Sequence, residues 1–182
     1  MESFEKLWPR ISYFIDEMCS GMAFFEGYIP SIDATNLDAN IRFLKAQVCD
    51  GSFDLSVWSN ETTKQDWNRE YSFNEYLNFF AIDKITMLNF EYQLDLKEVL
   101  LHLKLMIEKT DDTNISINII CYRDPILDHA SPKDVMEKAI IEFHRLRNLF
   151  GGGVVFVGPD NLTYPVDDND YPDHWIKIEY LD

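Results

Sequence analysis

Residues 123–131 include the side-chain types that hydrolytic enzymes use, namely carboxylates, an imidazole and a hydroxyl. Asp124, Asp128, His129 and Ser131 supply these groups, which a catalytic triad would combine. A triad depends on three-dimensional geometry that adjacency in sequence does not provide. Asp124 and Asp128 flank a loop that contains Pro125, and Ser131 is explained as a helix cap. We therefore predict no catalytic residues, and a small enzyme with a cleft near Asp124, Asp128 and His129 is the alternative.

Two other motifs could bind ligands, a glycine triplet and an acidic run. A phosphate-binding loop follows a strand and opens a helix, whereas Gly151, Gly152 and Gly153 follow a predicted helix and precede a predicted strand. The acidic run 167–173 lacks the glycine and the final glutamate of an EF-hand loop. The histidines also lack the spacing of a zinc site. The sequence therefore predicts no metal and no cofactor.

The same acidic run is mixed with tyrosine and tryptophan, which favours a protein-binding surface. Carboxylates can contact Lys and Arg side chains, and aromatic rings are enriched at the centres of interfaces. A solvated loop is the alternative interpretation. The predicted partner-binding residues are Asp160, Tyr164, Asp167, Asp168, Asp170, Tyr171, Asp173 and Trp175. Arg145 and Arg147 could bind an anion, although pairing with Glu142 along the same helix is favoured.

The charge of the chain favours a basic partner. The 182 residues carry a formal net charge of −16, and the runs 12–40 and 149–175 contain five acids each and no Lys or Arg. Such a field repels nucleic acid and anionic lipid and attracts cationic proteins in a salt-dependent way. Acidity that serves only solubility is the alternative explanation.

Composition also predicts the compartment and the domain organisation. The chain is 46% hydrophobic, enough for a folded core, and no composition break divides it, so we expect a single domain over residues 1–182. The absence of a long apolar run and the acids Glu2 and Glu5 near the N-terminus favour a cytoplasmic protein. Cys19, Cys49 and Cys121 are too few and too far apart to indicate a disulfide framework.

Periodicity predicts helices in four places. Apolar residues at helical spacing indicate helices over 2–19, 95–110 and 131–151, and the aromatic segment 71–80 is interpreted as a short helix. Within the first, Pro9 indicates either a start at Trp8 or a kink. Ser131 is expected to cap the third, with Pro132 in its first turn and Gly151 at its end. Segment 21–40 is expected to be an irregular connection.

Alternation of apolar and polar residues predicts the strands. Asp50 and Gly51 form a type I′ turn signature that joins strands 44–49 and 52–57 into a hairpin. Further strands are predicted over 85–94, 114–122 and 174–181, with a second hairpin made by 154–157 and 162–166. The predicted fold class is α+β, with a mixed, largely antiparallel sheet and about three helices packed on it.

In overall character the chain resembles the immunity proteins that neutralise bacterial polymorphic or contact-dependent inhibition toxins. The resemblance is carried by the acidic and aromatic segment 164–175 and the base-free run 16–38. It implies a tight complex with a cationic, nuclease-like toxin domain, in which carboxylates occupy the place of phosphate and block the active cleft. A subunit of a larger assembly is a further alternative.

Overall fold

The structure is a computed structural model, and it describes residues 3–18, 24–47, 54–58, 72–81, 87–96, 99–122, 131–159, 165, 169 and 175–178. The described residues form four α-helices and a seven-stranded sheet. The helices are α1 (Phe4–Met18), α2 (Leu37–Gln47), α3 (Phe73–Ala81) and α4 (Pro132–Phe150), and a 3-10 turn, Ala34–Asn36, precedes α2. The strands are β1 (Phe24–Asp33), β2 (Asp54–Trp58), β3 (Met87–Asp95), β4 (Leu100–Lys109), β5 (Asn114–Tyr122), β6 (Val155–Pro159) and β7 (Ile176–Ile178).

The strands lie in the order β2-β3-β4-β5-β1-β6-β7, and every ladder between them is antiparallel. Apolar residues at alternate positions of β3, β4 and β5 are buried, as in Leu88, Leu105 and Ile117, each of which has no exposed surface. The apolar residues of all four helices join the same core cluster. This arrangement confirms the predicted α+β class and the largely antiparallel sheet with helices packed on it.

The ends of α4 follow the sequence signals. The Ser131 side chain accepts a hydrogen bond from the Asp134 amide, Pro132 lies in the first turn, and Gly151 ends the helix with φ of 80°. That left-handed conformation strains any residue with a Cβ. The predicted boundaries of this helix are confirmed.

Helix α1 is also confirmed, and it resolves the alternative at Pro9. The helix is continuous from Phe4, so Pro9 lies inside it, and a start at Trp8 is wrong. The short helix predicted over 71–80 corresponds to α3, and the strands predicted over 85–94 and 114–122 correspond to β3 and β5.

The first predicted hairpin is wrong. Residues 37–47 form α2, because Leu37, Ile41 and Leu44 recur at helical spacing and bury one stripe of it. Residues 54–58 form β2, whose partner is β3, with Leu55 opposite Phe90 and Val57 opposite Leu88. The turn residues Asp50 and Gly51 lie outside the described residues.

The helix predicted over 95–110 is also wrong, since residues 100–109 form strand β4. Its leucines fit both periods, but the buried positions are Leu101, Leu103, Leu105 and Ile107, which alternate as in a strand. Pairing with strands on both sides therefore outweighs the helical propensity of leucine.

The segment predicted to be irregular, 21–40, contains strand β1 in the middle of the sheet. Pro30 and Ser31 fall where the register with β5 shifts between Ile29 and Ile32, and Ser31 has φ of 51°. A bulge tolerates a proline that a regular inner strand would not. Pro30 therefore marks an irregularity within a strand and not a connection between elements.

Strand β6 confirms the prediction for 154–157 and contacts strands distant in sequence. It pairs with β1 on one side and with β7 on the other. Strand β7, Ile176–Ile178, lies within the predicted strand 174–181 and confirms part of it. In the predicted partner segment 162–166, Pro165 has no strand assignment and the other residues lie outside the described part.

Candidate functional site

Most of the predicted partner-binding residues fall where the structure gives no description. Of the eight, Asp160, Tyr164, Asp167, Asp168, Asp170, Tyr171 and Asp173 lie outside the described residues. Their grouping therefore stays a prediction. Likewise Asp124, Asp128 and His129, the centre of the enzyme alternative, lie outside the described residues.

Trp175, the eighth predicted residue, is buried with 2% of its surface exposed. Its ring centroid lies 6.2 Å from that of Tyr28, and the two pack with Val154 and Phe156 in a small cluster apart from the main core. A Cβ added to Gly158 would lie 2.8 Å from this indole ring. In this position Trp175 anchors the chain next to β7, and its ring does not lie on the accessible surface.

The described residues bring a different set of carboxylates together at one end of the sheet. The turn between β4 and β5 lies beside the end of β1, because Asp33 pairs with Asn114 and the Ala34 amide donates to the Thr113 carbonyl at 2.9 Å. Asp111 and Asp112 of the turn are therefore brought near Asp33, and Asp38 follows in the first turn of α2. All four carboxylates belong to exposed residues.

A cleft of about 410 Å³ opens between the start of α2, helix α3 and this turn. Its floor is apolar and is formed by Leu37, Leu77 and Phe80, whereas Asp38 and Asp112 are its acidic residues. The remaining lining residues are Ala34, Thr35, Ala81, Lys109 and Thr113. The volume lies within the range of about 300–1,000 Å³ that is typical of binding sites. We call this the α2–α3 cleft.

Two of the four carboxylates organise the backbone around the cleft. Asp33 accepts hydrogen bonds from the Thr35 hydroxyl and amide, which lower the pKa of its carboxyl. Asp111 accepts from the Asn114 side chain and from the Thr113 amide and hydroxyl, which lower its pKa to about 2. Both side chains therefore carry full negative charge at neutral pH.

The other two carboxylates differ in their partners. Asp38 forms an ion pair with Arg42 at 2.9 Å, and both side chains are about half exposed or more, at 62% and 47%. Such an exposed pair is weak and exchanges readily with other cations. Asp112 has no hydrogen bond or ion pair with any residue in the part of the chain that the structure describes.

Lys109 is the cation that lines the cleft. Its ammonium lies 5.3 Å from the centroid of the Phe80 ring and donates to the Ala81 carbonyl at 3.5 Å. The cleft therefore places a cation over an aromatic ring next to two carboxylates. The two carboxylates favour a further cationic group, whereas the ammonium of Lys109 opposes it.

Some carboxylates elsewhere on the described surface have basic partners, whereas Asp134 accepts a hydrogen bond from the Ser131 hydroxyl. Glu5 pairs with Lys133 at 2.7 Å, and Glu91 lies 3.6 Å from Lys104 on the neighbouring strand. In the base-free run 16–38, Glu26 is fully buried in β1, so it does not contribute to an exposed acidic surface. Around the α2–α3 cleft, by comparison, lie four exposed carboxylates, of which only Asp38 has a basic partner among the described residues.

The arginines of α4 have structural partners. Arg145 donates to both oxygens of Glu142 at 2.6 Å and to the Gln47 side chain of α2 at 2.8 Å. Tyr92 of β3 donates to the same carboxylate at 3.1 Å, so this network joins α4 to the sheet and to α2. Arg147 donates to Asn148 at 2.7 Å. The favoured interpretation, a partner within the helix, is confirmed for Arg145.

The sequence patterns do not predict that the acidic residues around the cleft lie together, because they indicate the wrong elements for them. Asp111 and Asp112 were expected to end a helix, and Asp33 and Asp38 to lie in an irregular connection. The signal that could have located the turn is the polar run 110–114 between two segments of alternating apolar residues. It predicts a hairpin at this point, although not its proximity to α2.

Within the described residues, no three His, Cys, Asp or Glu side chains are close enough to hold a metal ion. None of the described helices combines the length and hydropathy needed to cross a membrane.

Comparison with known proteins gives one similarity of fold. No protein-family model and no curated protein matches the chain. A solved chain from a crystal structure described as the toxic C-terminal tip of CdiA from Pseudomonas aeruginosa in complex with immune protein is 12% identical, with a TM-score of 0.46, and the match covers 77% of this chain and 88% of that chain. A likeness of this degree does not assign a function or a partner to the present chain.

Proposed function

We propose that this chain is an acidic binding protein that neutralises a basic protein partner, in the manner of a cytoplasmic immunity protein that blocks a bacterial toxin domain. The observation that carries the proposal is the concentration of exposed carboxylates around the α2–α3 cleft, on a chain with a net charge of −16. Away from the cleft, Glu5 and Glu91 lie next to lysines. We therefore expect a basic partner to contact the carboxylates around this cleft.

The physical basis is electrostatic attraction followed by desolvation. A strongly acidic field raises the rate at which a basic protein associates. Once the partner covers the cleft, carboxylates that were exposed to water interact with its Lys and Arg side chains in a medium of lower dielectric constant. Hydrogen-bonded charge pairs of this kind can each change the free energy of binding by a few kcal/mol when one partner is removed.

We further propose that the C-terminal acidic and aromatic segment enlarges the binding surface. The residues concerned are Asp160, Tyr164, Asp167, Asp168, Asp170, Tyr171 and Asp173. Trp175 would contribute by fixing the end of this segment against Tyr28 and Gly158. Substitution of Trp175 is therefore expected to weaken binding through loss of local structure.

The test uses the toxin domain encoded next to this chain, where a neighbouring reading frame ends in a basic C-terminal domain. Co-expression should restore growth to cells that make the toxin. The two purified proteins should associate tightly at about 0.1 M salt and much more weakly at about 1 M, where the Debye length falls from about 10 Å to about 3 Å. Failure to restore growth, or an affinity that does not change with salt, would contradict the proposal.

A further inference from the structure

The α2–α3 cleft combines three features that suit one kind of side chain. Its floor is apolar, with Leu37, Leu77 and Phe80 each less than 10% exposed. Its acidic residues, Asp38 and Asp112, are exposed and add carboxylates to the lining. A long side chain with an aliphatic stem and a cationic end would place its stem on the floor and its charge at the carboxylates.

Arginine fits this combination better than lysine. The guanidinium is planar, is more weakly hydrated than an ammonium group and presents several N–H donors in a fixed geometry. It can therefore bond to carboxylates from two elements at once and tolerate an apolar wall. Asp38 comes from the first turn of α2 and Asp112 from the β4–β5 turn, so the two carboxylates approach the cleft from different elements.

We propose that the α2–α3 cleft is the docking site for an arginine side chain of the basic partner, held by Asp112 and Asp38. This inference rests on the proposed function and names the contact through which that function begins. The occupant is chosen by charge complementarity. Asp112 is exposed and has no described partner, and the pair between Asp38 and Arg42 is exposed enough to be replaced.

Lys109 supplies a test in which removing a charge strengthens binding. Its ammonium already lies above the Phe80 ring at the cleft wall, so it repels an incoming guanidinium. Lys109→Met keeps an unbranched stem and removes the charge. The variant should bind the arginine ligand at least about twofold more tightly, whereas Asp112→Asn should bind it about threefold or more weakly, as expected for partly exposed charge pairs.

The matched control is Asp95→Asn, which makes the same change of charge at the opposite end of the sheet. Asp95 lies at the end of β3, where its ladder partner on β4 is Leu100, away from the β4–β5 turn. A general effect of net charge would alter both asparagine variants equally. An effect of the cleft would alter only Asp112→Asn.

The experiment titrates the ¹⁵N-labelled chain with an octa-arginine peptide and, separately, an octa-lysine peptide at low salt, with circular dichroism of each variant to show that it folds. The expected result is saturable shifts of the Thr35, Asp38, Phe80 and Thr113 amides with octa-arginine, at lower concentration than with octa-lysine. Equal affinities for the two peptides, or equal losses in Asp112→Asn and Asp95→Asn, would overturn the arginine site and leave the proposed function standing. No interaction with either peptide would contradict both.

Discussion

Gly27 of the inner strand β1 packs against Phe143 of α4. A Cβ added at this position would lie 2.5 Å from Cδ2 of Phe143, and two further ring atoms would lie within 2.9 Å of it. Phe143 has no exposed surface, so its ring cannot move into solvent. We therefore expect Gly27→Ala to force either the ring or the strand out of position.

The magnitude follows from two opposing effects. Overpacking of a dense core costs about 1–3 kcal/mol, whereas replacing glycine by alanine lowers the entropy of the unfolded chain and contributes about 0.4–1 kcal/mol of stability. The expected net loss is about 1–2 kcal/mol in the free energy of unfolding. For a chain of this size such a loss lowers the melting temperature by about 2–8 °C.

The assay is urea unfolding followed by circular dichroism, with Gly153→Ala as the matched control. A Cβ at Gly153 meets no heavy atom within 4 Å, so that variant should be as stable as the parent or slightly more stable. Gly27→Ala combined with Phe143→Leu should be more stable than the sum of the two single losses predicts, because the smaller side chain makes room for the new methyl group. A Gly27→Ala variant as stable as Gly153→Ala would refute the packing of α4 on β1.

Three further predictions concern helix α4. Tyr92→Phe should cost only about 0.5–1.5 kcal/mol of unfolding free energy, since Arg145 still satisfies the carboxylate. Glu142→Ala should cost more, about 1.5–3 kcal/mol, because it removes the ion pair with the half-buried Arg145 and leaves the buried Tyr92 hydroxyl without its acceptor. Equal losses in chemical denaturation would contradict the network. Ser131→Ala should cost about 1 kcal/mol by removing the cap, and no change in urea midpoint would contradict that role. Burial and the neighbouring Arg147 lower the pKa of His144 to about 4, below its usual value near 6.5. The unfolded state therefore binds the proton more readily, and the free energy of unfolding should fall as the pH drops from about 6.5 to about 4. His144→Gln should remove that part of the pH dependence, and the control His102→Gln, which leaves His144 in place, should retain it.

The sequence predicted those elements whose signals agree with one another. Helix α4 carries a cap, a proline in its first turn, an apolar stripe and a terminal glycine, and its limits are confirmed. Strand β5 alternates isoleucines at 115, 117 and 119 with polar or half-buried residues, and no competing helical pattern disturbs it. Agreement between several local signals explains why these elements could be located.

The errors arose where one local signal was given too much weight. The Asp50–Gly51 pair suggested a hairpin, yet Leu37, Ile41 and Leu44 form a helical stripe that the alternation around the turn concealed. In 100–109 the leucines satisfy both periods, and only pairing with β3 and β5 selects the strand. Such pairing joins residues far apart in the chain, so no local pattern could decide between the two structures.

The candidate site could be predicted from the sequence less well than the fold. Net charge and the base-free runs indicated a basic partner, but the α2–α3 cleft depends on the approach of Asp38 to Asp112, 74 positions apart in the numbering. Their proximity follows from the pairing of Asp33 with Asn114. Because the leucine pattern over 95–110 predicts a helix, the β4–β5 hairpin that carries Asp112 toward Asp38 is not predicted from the sequence.

The most direct test is amide hydrogen exchange of the chain alone and in complex with the basic toxin domain that we propose as its partner. We expect slower exchange in the complex at the amides of residues 35–38 and 110–113, which surround the α2–α3 cleft. Protection confined to other surfaces, such as the β3–β4 turn near Asp95, with unchanged exchange around the cleft, would contradict the claim that these carboxylates contact the partner.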